Sequence, residues 1–257
     1  MGVLDFFRLD GKNAIVTGAA QGLGKAMAQA LAEAGANIVI ADINLDLAEV
    51  TAREISNIGV KTRALKVDVT NPEDVNFMAK EVVSKLGSID ILVNNAGIVR
   101  HSPAEIMSKK DWDDVINVNL TGVFLCSQAV GRFMIEKKKG KIINIASMSG
   151  LIVNHPQPQV SYNASKAGVI MITKSLAAEW AQYNINVNAI APGYMKTSMT
   201  APFFEKEEYR KAWLEPTPMK RPGNPKELGG AVVYLASDAS SFMTGQILVI
   251  DGGYTLL

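Results

Sequence analysis

The 257-residue chain is poor in several residue types, and each shortage removes a class of function. It has one cysteine, Cys126, so no intrachain disulfide can form, and a reducing cytoplasm is the compartment this fits. That cysteine lies in the apolar stretch Gly122-Val123-Phe124-Leu125-Cys126, which reads as a buried small hydrophobe rather than a nucleophile. The two histidines, His101 and His155, stand too far apart for metal-ligand spacing, and no required metal is expected. Neither charge sign is in excess: 26 basic residues face 25 acidic ones, so no basic surface for nucleic acid is expected. Lys137-Lys138-Lys139 with Lys141 reads as a solvated turn between a helix and a strand. No apolar run is long enough for a membrane-spanning helix, and Met1 to Arg8 does not read as a secretion signal, so no membrane partner is expected.

What is abundant is apolar residue, 48%, in a regular rhythm. Short β-branched runs alternate with helical patterns. Strands are expected at Ala14–Thr17, Asn37–Ala41, Ala64–Val69, Ile89–Val93, Lys141–Ala146, Asn186–Ala189 and Ile247–Ile250. Helices are expected over Gly24–Ala34, Leu45–Ile58, from Pro72 onward, Trp112–Glu136 and Ser165–Trp180, with Gly35 and Gly59 as stops. Asn71-Pro72 reads as a helix start with the proline in its first turn. Strands apolar on both faces and separated by helices require a parallel sheet covered on both sides. With right-handed crossovers this gives an α/β fold: one doubly wound, Rossmann-type, seven-stranded parallel sheet with helices on both faces. The expected organisation is a single domain, 1–257. Only about 195–225 breaks the rhythm, with Pro202, Pro216, Pro218, Pro222 and aromatic clusters, and it reads as a lid over a site.

Thr17-Gly18-Ala19-Ala20-Gln21-Gly22-Leu23-Gly24 joins the first strand to the first helix. Gly18 permits a tight exit from the strand, and Gly22 and Gly24 let backbone approach a pyrophosphate. Gln21 and Leu23 lie at the helix N-terminus, whose free N–H groups and positive dipole end suit an anion. Given the glycine and threonine content, such a string arises by chance roughly 0.006 times in a chain of this length, so a dinucleotide is the expected ligand. Asp42 ends the second strand, with Ile43 after it. Its carboxylate suits both adenosine ribose hydroxyls and would repel a 2′-phosphate, with no Arg or Lys beside it, so the expected cofactor is NAD. Asp68-Val69 at the third strand is placed to meet adenine, and Asn95-Ala96-Gly97 after the fourth to lie against the adenine ribose.

Tyr162-Asn163-Ala164-Ser165-Lys166 puts a phenol and an ammonium on one helical face. An adjacent cation favours phenolate, which would let Tyr162 take a proton from an alcohol. The spacing alone is weak, because about 0.44 such pairs are expected by chance, and its meaning comes from the elements around it.

Thr17 to Gly24, Asn94 to Gly97, Asn119 to Phe124, Ala146-Ser147, Tyr162 to Lys166, Pro192-Gly193 and Asp251-Gly252-Gly253 occur in the order found in short-chain dehydrogenase/reductases, which this chain resembles over its whole length. The resemblance implies a catalytic set of Asn119, Ser147, Tyr162 and Lys166. Tyr162 would be the acid/base, and Lys166 would tune it and hold the nicotinamide ribose. Ser147 would bind the substrate oxygen, and Asn119 would hold a water that relays protons to Lys166. Pro192, Gly193, Met195 and Thr197 would hold the nicotinamide end. The family's usual spacing before tyrosine falls on Ser149, but Ser147 ends the strand and opens the family's Ser-x-x-Gly, so Ser147 is preferred and Ser149 becomes a substrate-pocket residue.

Within the family the motifs resemble most the galactitol, arabinitol and mannitol dehydrogenases. Ser149, Asn154, Gln157 and Gln159 offer hydrogen bonds to a polyhydroxylated chain, and Trp213 in the lid could stack on it. The expected activity is conversion of a small-molecule secondary alcohol, a polyol or sugar alcohol, to a ketone. The alternatives are reduction of another ketone class (a gluconate-type acid, a 3-oxoacyl thioester or a steroid) and, remotely, a non-catalytic NAD-binding protein. The resemblance also implies a homotetramer built on helices 112–136 and 157–183, with Tyr254 to Leu257 adding contact.

Overall fold

The computed structural model describes residues 2–198 and 200–256, so Leu257, assigned above to a subunit contact, lies outside the described residues. Seven strands form one sheet: β1 (Asn13–Thr17), β2 (Asn37–Asp42), β3 (Thr62–Lys66), β4 (Ile91–Asn94), β5 (Gly140–Ile145), β6 (Ile185–Pro192) and β7 (Ile247–Ile250). Their spatial order is β3-β2-β1-β4-β5-β6-β7, and every pair is parallel. The chain starts in the middle, winds outward to β3, then returns to place β4 on the other side of β1. That reversal opens a crevice at the carboxyl ends of β1 and β4.

Every residue of β1 and β5 is buried, as a strand covered on both faces must be. Alternation sends Ala14 and Val16 to one face and Ile15 to the other. The first face is covered by α1 (Gly22–Glu33), α2 (Leu45–Ser56) and α9 (Gly229–Ala236). The second is covered by α3 (Pro72–Leu86), α5 (Gly122–Lys137) and α6 (Val160–Trp180). Each fully buried Ile, Leu or Val stabilises the fold by about 1.5–3 kcal/mol relative to exposure, so these two layers hold the sheet in place.

Several boundaries differ from the sequence reading. β3 ends at Lys66, not Val69, because Asp68 leaves the ladder to accept hydrogen bonds from the backbone and hydroxyl of Thr70 at 2.9 and 2.7 Å. α6 begins at Val160, so Tyr162 and Lys166 share it, as the common helical face expected for them requires. The expected helix 112–136 runs from 109 to 137 as α4 (Lys109–Ile116), a π turn (Asn117–Thr121) and α5. By length and mean hydropathy, 1.3 over its best window, this helix could cross a membrane, contrary to the expectation that none could. The apolar count was missed because Asn117, Asn119 and Thr121 interrupt it. Half of that window is buried inside the protein, as befits a core helix packed on the sheet.

Lys141 also departs from its assignment to a solvated turn. It lies within β5, buried, with Nζ 2.8 Å from Asn186 Oδ1, and burial pulls its ammonium down to about 8. Lys138 does form the turn, in the left-handed region at φ 54°. Cys126 is buried, and burial pushes its thiol up to about 12, which leaves it inert.

The stretch 195–225 folds back beside the sheet edge as α7 (Ala201–Phe204) and α8 (Glu207–Leu214), anchored where Met195 bridges Gly223.

Candidate active site

The glycine turn takes the shape its composition requires. Gly18 and Gly22 have φ of 62° and 60°, where other residues are strained. A β-carbon on Gly24 would stand 2.4 Å from the carbonyl oxygen of Gly18, and one on Gly18 would stand 2.7 Å from Cα of Ala96. The turn is therefore pressed against the end of β4. Asn95 staples it there: its Nδ2 donates to the carbonyls of Thr17 and Gly18 at 3.0 and 2.9 Å. Thr17 Oγ1 accepts from the backbone N–H of Asn95 and Ala96 at 3.0 and 3.2 Å.

Helices α2, α3 and α4 have their N-termini capped by Asn44, Asn71 and Ser108. The N-cap of α1, Gln21, makes no such bond, and nothing lies within 4 Å of where a β-carbon of Gly22 would be. Uncapped N–H groups beneath open space at a helix N-terminus fit the pyrophosphate of a dinucleotide.

Asp42 closes the far side of the turn. Its Oδ2 accepts from Ala20 N and its Oδ1 from Asn44 N, both at 3.0 Å, while further lone pairs stay free. Ile43 beside it is exposed, and Asp68 and Val69 follow the end of neighbouring β3. The carboxylate that would face a ribose thus also braces the phosphate turn, a task the sequence reading did not give it.

The groups that the resemblance marks as catalytic converge on the carboxyl ends of β4 and β5. Asn119 is fully buried in the π turn; it accepts from Ile98 N at 2.8 Å and donates to Ile98 O at 2.9 Å and Ser165 Oγ at 3.1 Å. A single π turn inside an α-helix is often found at a functional site. Lys166 Nζ, buried, donates to Ile145 O at 2.7 Å and lies 5.6 Å from the Tyr162 ring centroid. Gly97 makes room for both groups, because a β-carbon there would stand 3.3 Å from Asn119 Oδ1 and 3.7 Å from Lys166 Nζ. Burial lowers the Lys166 ammonium to about 8.

Tyr162 does not show the lowered pKa expected from its neighbour. Burial pushes the phenol up, and a hydrogen bond with Ser147 only partly opposes this. The Lys166 ammonium, bonded to the Ile145 carbonyl, does not offset that burial. Ser147 lies between the phenol, with which it hydrogen-bonds, and Ser149, whose Oγ is 3.1 Å from its own.

From Ser149 a run of buried, uncharged groups extends away from Tyr162. Gln159 Nε2 lies 3.4 Å from Ser149 Oγ and 3.3 Å from Asn154 Oδ1, and Asn154 Nδ2 donates to the Tyr194 hydroxyl at 3.1 Å. Trp213 lies against the Tyr194 ring, centroids 4.2 Å apart and planes 10° from parallel. Pro192 and Gly193 end β6, with Gly193 N bonded to Ile250 O at 2.9 Å. Met195 is buried, and Thr197 Oγ1 is 3.2 Å from Thr200 Oγ1 at the entry to the lid.

Two residues at this end escaped the sequence reading. Tyr194 sits between the anticipated Gly193 and Met195, and only its place beside a strand end could have marked it. His101, which hydrogen-bonds Gln159 and meets Phe203 of the lid edge-on at 6.1 Å, is a lone histidine without local signal.

A family model described as enoyl-(acyl carrier protein) reductase matches residues 18–255. The chain belongs to the short-chain dehydrogenase/reductase family, and so is an oxidoreductase that binds a nicotinamide cofactor and acts between alcohol and ketone. It is 46% identical over 250 residues to a galactitol 2-dehydrogenase of Rhizobium johnstonii, with 97% of each chain covered. It is 44% identical over 250 residues to a 5-keto-D-gluconate 5-reductase of Escherichia coli, again with 97% of each covered. A gluconate 5-dehydrogenase from Burkholderia cenocepacia J2315, solved in complex with NADP and tartrate, superposes with a TM-score of 0.95 at 41% identity, each chain covered in full.

Proposed function

We propose that the protein is an NAD-dependent dehydrogenase converting a polyol or sugar alcohol to a ketose, with Asn119, Ser147, Tyr162 and Lys166 as its working set. The observation behind this is the uncharged polar wall that begins at Ser147 beside Tyr162 and runs through Ser149, Gln159 and Asn154. A buried row of donors and acceptors favours a substrate rich in hydroxyls and rejects one that leaves them unpaired.

The bound cofactor supplies the hydride acceptor in oxidation and the hydride donor in reduction. In oxidation the Tyr162 phenolate takes the alcohol proton, the carbinol C–H bond gives up its hydride, and the carbonyl forms. Ser147 holds the reacting oxygen. Lys166 lies where it can bind the nicotinamide ribose and return Tyr162 to phenolate, with Asn119 as the support of a proton-carrying water. Pro192, Gly193, Met195 and Thr197 shape the nicotinamide end, and Gly18 to Gly24 seat the pyrophosphate. Asp42 selects NAD through the ribose hydroxyls, with Ile43, Asp68, Val69, Ala96 and Gly97 around the adenosine.

The protein acts as one catalytic domain, closed by the lid at 195–225, in a cytoplasmic homotetramer. The exposed Phe124 on α5 and Met171 on α6 support subunit contact through these helices, and the buried inert cysteine suits a cytoplasmic setting.

A second reading, a gluconate-type acid with NADP, draws support from the keto-gluconate reductase and the NADP-bound gluconate 5-dehydrogenase among the relatives. The two are separated by initial rates with NAD and with NADP over four- to six-carbon polyols, aldonates and simple secondary alcohols. The polyol reading expects NAD-linked turnover of at least one polyol as the best activity; aldonate turnover with NADP as the best activity would refute it.

The pH dependence follows from the raised phenol. A raised pKa leaves Tyr162 protonated near neutrality, so the base form needed for oxidation grows as pH rises and the acid form needed for reduction is lost above that pKa. Alcohol oxidation should still be climbing above pH ~8, while ketone reduction stays flat until the same group ionises. Paired profiles of kcat/KM in the two directions check this; a flat oxidation profile across that range would exclude Tyr162 as a base with a raised pKa.

A further inference from the structure

The lid is built around Trp213 of α8, whose indole is enclosed by Phe203, Phe204 and Tyr209. Only 4% of the Trp213 surface is exposed, so its single N–H donor needs a partner inside the protein. That partner is Gln157, from the loop between β5 and α6: Trp213 Nε1 donates to Gln157 Oε1 at 3.1 Å. The other end of the same amide donates to the Tyr194 hydroxyl at 3.3 Å, and Tyr194 in turn stacks on Trp213. One amide therefore closes a ring of indole, phenol and loop. Among the described residues outside the lid, the other side-chain hydrogen bond to α8 is weaker, a contact at 3.4 Å from the Tyr254 hydroxyl to Ala212 O.

We infer that Gln157 is a positioning residue that latches the lid over the substrate end of the cleft. The latched wall is an uncharged amide, phenol and indole, fitted to the carbons of a neutral polyol beyond the reacting carbinol. Gln157 stands apart from Tyr162 and Ser147 and acts through Trp213 and Tyr194. The latch itself is independent of substrate class, whereas its fit to a polyol rests on the function proposed above.

Gln157→Leu removes both bonds and leaves a buried indole N–H without a partner, while Trp213→Phe removes the donor itself. Because an orphaned buried donor costs more than an absent pair, the double variant should be no more impaired than Gln157→Leu alone. Limited trypsin digestion without substrate reads the latch directly, since Lys206, Arg210 and Lys211 are exposed on the lid. Gln157→Leu should be cut there about tenfold faster, as the orphaning of one buried donor would give, with KM for polyols raised by a similar factor and kcat changed much less. Gln157→Glu, which keeps an acceptor for the indole, should restore slow cleavage. Wild-type cleavage rates in Gln157→Leu, or effects that add in the double variant, would overturn the latch. If the wild-type enzyme turned over no polyol, the proposed substrate would fall, and the substrate-free digestion would still decide the latch.

Discussion

Tyr162→Phe should lower turnover by roughly 10²–10⁴-fold, the usual worth of a positioned acid or base, while leaving NADH binding within about threefold of wild type. The variant removes one oxygen and keeps the ring, so the contact with the Lys166 ammonium at 5.6 Å from its centroid survives. The fold should also survive, because the residues on which Tyr162 rests belong to the long helix α6 and its packing on β6. Steady-state rates with the best alcohol and a fluorescence titration with NADH check the two halves separately. Substantial residual turnover would remove Tyr162 from the chemistry, and lost NADH binding would make it a structural residue.

Asp42→Ala has two expected consequences, since the proposed function adds a second task to the brace that the carboxylate makes. Toward a cofactor, it stands where an added 2′-phosphate would meet a like charge. At the edge of the protein, where unit charges a few ångströms apart interact by up to about 4 kcal/mol before salt screening, removing it should move the NADP-to-NAD ratio of kcat/KM tenfold to a hundredfold toward NADP. Toward the protein, it leaves Ala20 N and Asn44 N without the acceptor that each has at 3.0 Å. Water can replace the acceptor at the exposed Asn44 N, so the loss should be about 0.5–1.5 kcal/mol of stability, visible as a lower Tm. An unchanged cofactor ratio with a lowered Tm would make Asp42 a brace of the turn and nothing more.

The strands, their parallel packing between helices and the phosphate turn were legible because their signals are local. Parallel strands buried on both faces leave unbroken β-branched runs, and a turn that needs positive φ at Gly18 and Gly22 must show glycine there. The helix start at Asn71 was readable for the same reason. Illegible features depended on groups distant in the chain. Nothing local to Tyr162 reveals how deeply the fold buries its phenol, so its raised pKa was missed. Lys141 looked like its solvated neighbours until β5 carried it inside beside Asn186. The partnership of Gln157 with Trp213 spans 56 positions, so the polarity of the one and the aromaticity of the other were visible while their meeting was not.

The π turn at Asn117–Thr121 has a consequence for the spacing of this chain. An α-helix advances about 100° per residue, so the wider turn sets the phase of α4 against α5 and aims Asn119 at the backbone of Ile98. Deleting one residue there would allow an unbroken helix from 109 to 137, with better local hydrogen bonding and its apolar side still facing the sheet. Such a chain would keep its architecture yet rotate the asparagine out of the cleft. If Asn119 supports the proposed proton-carrying water, length across this short segment is under functional rather than folding constraint, and a homologous chain shorter by one residue at this point would have to support that water in another way.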